Sequence, residues 1–210
     1  MNYILDFASV SVFIPCIPAI LRYRSFPKEL KLISNFVMVC AVFEIVSHYL
    51  WSHKINNLPL LHLYIPVTFT MLFLFYKNIL KGQIKKRIWL LIAVVFYAFS
   101  IVDSVWLQGL YTFNSYTINL LNAVMVFFSI ACFYKIAKEM KVLQLERYPV
   151  FWINTGVIFY YAGSLLLFTL SNQTISFSKA IRMHIWTVHA LFVMLMYLLI
   201  TVGLWIYRKS

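Results

Sequence analysis

Residues 40–61 read CAVFEIVSHYLWSHKINNLPLL, and His62 follows. From Cys40 to Trp51 the side chains are almost all apolar, with Glu44, Ser47 and His48 set among them. SHKINN interrupts the run and Leu58 opens another. The stretch reads as the outer end of one membrane helix, a short turn and the start of the next. It places an acid and three of the chain's five histidines (His48, His53, His62) beside nearly uninterrupted hydrocarbon.

The rest of the chain repeats that pattern. Over 210 residues, 63% are hydrophobic and 11% charged, with a mean hydropathy of +0.84. Such a chain has too little polar surface to face water as a soluble domain. Apolar runs cover Tyr3–Leu21, Leu30–Trp51, Leu58–Tyr76, Trp89–Trp106, Tyr116–Ile136, Val150–Leu170 and Met183–Tyr207. Each is about 20 residues long, enough to cross a bilayer core as a helix. The expected fold is all-α and polytopic: one seven-helix transmembrane domain over residues 1–210. The first run has no basic leader or Ala-x-Ala site and contains Asp6, so it is kept as a helix rather than a signal peptide. Pro15 and Pro18 are expected to kink or end it. Cys16, Cys40 and Cys132 fall inside apolar runs without paired spacing and read as packing residues.

Charge gives the orientation. With the amino terminus outside, fifteen of the eighteen Lys and Arg fall in the inner segments, leaving Lys54, Lys179 and Arg182 outside. So strong a bias in short loops orients a membrane chain by the positive-inside rule, with the carboxyl terminus cytoplasmic. Trp51, Trp106 and Trp186 fall at outer ends and Trp89, Trp152 and Trp205 at inner ends, as an aromatic belt would place them. The net charge of +12 is thus a topology signal, with anionic lipid headgroups at the inner face as partner and no nucleic acid. The expected location is a bacterial inner or plasma membrane.

At this orientation the ionisable residues within the spans gather at the outer side. Asp6, Glu44, Ser47, His48, His62, Asp103, Asn119, Asn122 and His189 are the candidate pocket residues. Ionisable groups in hydrocarbon are costly, face the bundle interior and commonly mark function. No Lys or Arg lies in an outer half-span, so histidines are the available partners, and Glu44 and His48 share a face at i,i+4. The plainer reading is structural. Groups within a turn of a helix end reach the headgroups, which accounts for His53, His184 and Asp103. The asparagines then join helices. In the sixth run, Gly156 and Gly163 are seven apart on one face and permit close helix approach. Asn154 is deeper than packing requires. Asn172-Gln-Thr174 matches a glycosylation sequon at the membrane edge.

FWINTGVIFYYAGSLLLFTLSN, with KELKLI early and NNLPLLH before the third run, resembles small uncharacterised bacterial seven-helix integral membrane proteins. Glu44, Ser47 and His48 also resemble the first motif of the alkaline ceramidase and adiponectin receptor superfamily, seven-helix zinc hydrolases. That resemblance would imply zinc, for which Glu44, His48, His62 and His189 are the candidate ligands in this chain. Two departures stand against it: the third run offers His62 and no Asp, and HIWTVH places His184 and His189 about 140° apart around a helix. The last run has no lysine for a retinal Schiff base, so the seven-helix count does not imply retinal. Two histidines holding a haem would be weakly specified.

The leading expectation is an outward-facing polar pocket that binds or senses a ligand and signals to a cytoplasmic partner. The alternative is a zinc-dependent intramembrane hydrolase acting on a lipid or amide. The topology has its own test. A reporter fused after Ser210 should be cytoplasmic and a tag before Met1 external; a carboxyl terminus reached only from outside would reverse every depth assignment.

Overall fold

A computed structural model describes residues 3–139, 145–171 and 179–208. The described residues are helical apart from short connections, and seven helices are long and apolar enough to cross a membrane. The class this defines is an all-α, multi-pass membrane protein. The sequon at 172–174 and the middle of the connector after the fifth span lie outside the described residues.

The first span is two helices, α1 (Tyr3–Ser11) and α2 (Phe13–Leu21). They meet at Val12 because Pro15 has no N–H for the Ser11 carbonyl and its ring crowds that oxygen. Val12 keeps helical dihedrals, so the span is interrupted rather than ended. Then come α3 (Lys28–Ser52), α4 (Leu58–Ile79), α5 (Lys86–Val102), α6 (Ser115–Glu139), α7 (Pro149–Ser171) and α8 (Lys179–Ile206). The first span, α3, α4, α6, α7 and α8 pack in a closed ring, α8 returning against α1 and α2. Helix α5 stands outside it on α4 and α6, and turns Leu90, Leu91, Val94 and Val95 outward. Hydropathy gives the depth of a helix but not its place in the ring.

The α3–α4 turn is tightly specified. Lys54 adopts φ 60°, and the Ile55 amide donates to the Leu50 carbonyl (2.9 Å) and the Lys54 amide to that of Trp51 (3.0 Å). This is a Schellman close to α3, satisfying two of its last carbonyls. The Leu58 amide donates to Asn56 Oδ1 (2.9 Å), and Asn57 Nδ2 reaches back to Ser47 Oγ (2.9 Å). The sequence reading of helix, short turn and helix holds here in detail.

Opposite ends of the bundle differ in charge. At the basic end, Arg22 donates to the carbonyls of Trp205 (2.5 Å) and Tyr207, and Lys135 Nζ to that of Ile79 (2.6 Å). Each cation sits at the carbonyl end of another helix, where the helix dipole favours it. Deeper in, Tyr76 Oη donates to Asn154 Oδ1 (2.8 Å) and lies 2.8 Å from Ser129 Oγ, while Asn154 Nδ2 donates to the Ser129 carbonyl (3.0 Å). All three side chains are fully buried, so Asn154 makes the interhelical bonds its depth implied. Trp89 departs from the belt expectation. It is 4% exposed, packed between Phe73 and Phe128, because α5 turns that ring inward to fill the α4–α6 contact.

Helices α7 and α8 form the most extensive pair, and their glycines show why. A Cβ on Gly156 would come within 3.0 Å of the Met196 carbonyl oxygen, and one on Gly163 within 2.5 Å of the Phe192 ring. Gly203, not singled out from sequence, is as constrained: a Cβ there would lie 2.8 Å from the Pro149 carbonyl oxygen and 2.7 Å from Ile153 Cγ1. A ring can rotate away; a backbone carbonyl in a packed helix cannot. Gly203→Ala should therefore lower stability by about 1–3 kcal/mol, and more than Gly163→Ala. Thermal unfolding of the purified variants in detergent checks this, and equal midpoints for Gly203→Ala and wild type would refute the close packing.

Candidate functional site

Inside the ring, at the 53–57 end, is a partly open cavity of about 470 Å³. It is bounded by α1, α3, α4, α7 and α8, with Phe113 from the segment before α6. Three of the nine residues expected from sequence line it: Glu44, Ser47 and His189. Glu44 comes from α3, one turn before Ser47, which is fixed by Asn57 across the turn. His189 comes from α8 and is ringed by aromatic side chains. Its centroid lies 5.6 Å from Tyr160, 5.2 Å from Phe168 and 5.8 Å from Trp186. Its Nε2 is buried without a hydrogen-bond partner among the described residues.

Four tyrosines, Tyr64, Tyr160, Tyr161 and Tyr197, also line the cavity, with Cys40 beneath them. Cys40 Sγ lies 3.5 Å from Tyr64 Oη. Sequence reading places Tyr64 with His62 at the outer start of its helix but passes over Tyr160, Tyr161 and Tyr197, because an aromatic ring in a membrane helix reads first as packing. The one available signal was the paired Tyr160 and Tyr161, two polar-tipped rings in mid-span.

The remaining candidates lie elsewhere. Asp6 is exposed on α1. His48 is exposed at the end of α3 with its ring 6.1 Å from that of Trp51. The Glu44–His48 pair is not formed: among the described residues the one ion pair is Lys135–Glu139. Spacing at i,i+4 put the two on one face, but Glu44 turns toward the ring interior and His48 away from it. Asn119 Oδ1 and Asn122 Nδ2 are buried on α6 without hydrogen-bond partners among the described residues, outside the cavity lining.

His62 and Asp103 belong to a separate structural knot that joins α4, the end of α5 and the start of α6. After Val102 the backbone widens to a π turn over Asp103–Leu107, closed by the Gln108 amide on the Asp103 carbonyl (2.9 Å). The widened turn carries the Asp103 carboxylate onto the amino end of α6. There Oδ2 accepts from the Thr117 amide (3.1 Å) and from Thr117 Oγ1 (2.7 Å). A carboxylate at that position satisfies free amides and meets the positive end of the helix dipole. Asp103 is 0% exposed, so it caps a helix and does not reach the headgroups. Beside it, His62 is 5% exposed and fully engaged. Nε2 is 3.1 Å from the Thr112 carbonyl and so carries the proton, while Nδ1 accepts from Asn114 Nδ2 (3.0 Å) and lies 2.8 Å from Ser104 Oγ.

These positions decide what the residues can do together. His48 points out of the bundle, both nitrogens of His62 are used by protein groups, and only Glu44 and His189 share the cavity. Among the described residues no group of three or more His, Cys, Asp or Glu side chains is arranged to hold a metal ion. The four-ligand set Glu44, His48, His62 and His189 is therefore not assembled. Compared with known proteins, the chain matches no family model, no curated protein and no solved structure.

The knot makes a stability prediction distinct from any binding role. His62→Ala strands Asn114 Nδ2 and the Thr112 carbonyl, and Asp103→Ala strands the Thr117 amide. Each should cost about 1–3 kcal/mol, with Asp103→Asn milder than Asp103→Ala. Unfolding midpoints equal to wild type in both alanine variants would show that the knot does not hold the helices.

Proposed function

We propose that the protein is a ligand-binding or sensing component of a bacterial inner or plasma membrane, with its amino terminus outside and its carboxyl terminus in the cytoplasm. The cavity at the 53–57 end then faces outward, and the basic end meets anionic headgroups and a cytoplasmic partner. Orientation rests on the fifteen-to-three distribution of Lys and Arg. The observation that carries the binding role is the cavity inside the ring, whose volume falls in the range of small-molecule sites. It joins apolar walls to a few polar groups at fixed places, the composition such sites favour.

The asymmetry of the bundle supports a sensing role. The basic half is locked by the buried Tyr76–Ser129–Asn154 network and by the close approach of Gly203 on α8 to Pro149 and Ile153 of α7. The other half leaves space between the same helices. A ligand that closes α1, α3 and α8 around itself would bias their arrangement, and the locked half would carry the change across the membrane. The zinc hydrolase alternative has no assembled ligand set to favour it.

Accessibility tests this reading. In a variant lacking the native cysteines, Ser47→Cys should react with a membrane-impermeant thiol reagent added to intact cells. Val94→Cys, on the outward face of α5, should not react, because it faces lipid. A Ser47→Cys thiol that reacts only after the cells are opened would refute the outward-facing pocket.

A further inference from the structure

We propose that the cavity takes an organic cation, an amine or quaternary ammonium with an apolar body, held between the Glu44 carboxylate and the aromatic wall around His189. This deepens the pocket reading and rests on it.

Charge is the first argument. Glu44 is half-buried and lines the cavity, yet no hydrogen bond or ion pair to it is formed among the described residues. Asp103, the other acid near this depth, differs: its Oδ2 takes two donors at a helix terminus, while its Oδ1 is buried without a partner among the described residues. A carboxylate on the wall of a cavity with apolar sides attracts a cation more strongly than one in open water. The described lining of the cavity contains no lysine or arginine.

The wall is the second argument. Phe113 and Trp186 meet edge to face at 6.5 Å, and Tyr160, Phe168 and Trp186 surround His189. Ring faces carry negative potential and attract ammonium groups, most strongly where water is excluded. Carboxylate and rings thus favour the same sign of charge. His189 Nε2, without a partner among the described residues, can hydrogen-bond a ligand that enters beside it. The remaining apolar walls and the volume of about 470 Å³ leave room for a hydrocarbon body behind the cationic head.

An ammonium of this kind is found on free amines and on lipid headgroups, and the test separates the two. Benzyltrimethylammonium, the uncharged isostere neopentylbenzene and the anion benzylsulfonate are titrated into the protein in phosphatidylglycerol nanodiscs, read by tryptophan fluorescence and calorimetry. The cation should bind saturably and about tenfold or more tighter than either comparator. Glu44→Gln, which keeps the shape and removes the charge, should abolish that preference. Trp186→Leu should weaken the cation more than the neutral probe. Repeating the titration in phosphatidylcholine discs identifies the source. Loss of probe binding there assigns the site to a choline-type headgroup, and unchanged binding assigns it to a free cation. Equal or tighter binding of the neutral or anionic probe, or cation binding unaffected by Glu44→Gln, overturns the inference and leaves a pocket of other selectivity. No saturable binding of any probe also overturns it, and whether the pocket reading falls with it is settled separately by the reactivity of Ser47→Cys.

Discussion

A carboxylate inside a membrane domain is costly without partners, and the two acids at one end of the bundle stand differently toward that cost. Asp103 is partnered through one oxygen, Oδ2, while Oδ1 is buried without a hydrogen-bond partner among the described residues. The π turn after Val102 delivers the carboxylate to the first turn of α6, where it accepts from backbone and side chain of Thr117. That contact also fixes where α5 ends and α6 begins, and it holds His62 of α4 in place through Asn114 and Ser104. Glu44 is the open case, a carboxylate on a cavity wall without a protein partner among the described residues. Asp103 is fully buried, whereas Glu44 is partly buried on the wall of a partly open cavity. One is spent on building the fold, and the other is left for whatever enters the cavity.

The other end of the bundle obeys the same constraint with opposite sign. Helix termini leave carbonyls unsatisfied, and Arg22 and Lys135 cover those of α8 and α4. With the Tyr76–Ser129–Asn154 network beneath them, these contacts close the basic half. Close approach of α7 and α8 over Gly156, Gly163 and Gly203 draws the ring together, and Phe192, displaced by no side chain at Gly163, packs directly on α7. The cavity lies where this packing gives way to tyrosine hydroxyls and polar side chains.

How much of this was legible in the sequence depends on which coordinate is asked about. Depth was legible: the seven apolar runs end within a few residues of the helices, and Leu58 begins both the run and α4. Azimuth was not. Hydropathy says that Asp103, His62, Glu44 and His48 lie near one depth but not which way each faces, so four residues read as one cluster separate into a helix cap, a cavity wall and an outer surface. Trp89 was read as a belt residue for the same reason and is instead part of the core. The π turn was not legible, since nothing in DSVWL distinguishes it from another α turn until Thr117 is brought beside it. Gly203 was passed over because it stands alone in α8, whereas Gly156 and Gly163 announce themselves by spacing.

The central claim is that Glu44 and Asp103, two acids at one depth, have different work. Infrared difference spectroscopy of the carboxyl bands tests it directly, comparing the protein with and without saturating benzyltrimethylammonium. The account predicts one carboxyl band that responds to the cation, absent from Glu44→Gln and unchanged in Asp103→Asn. A responding band that persists in Glu44→Gln and disappears in Asp103→Asn would contradict it.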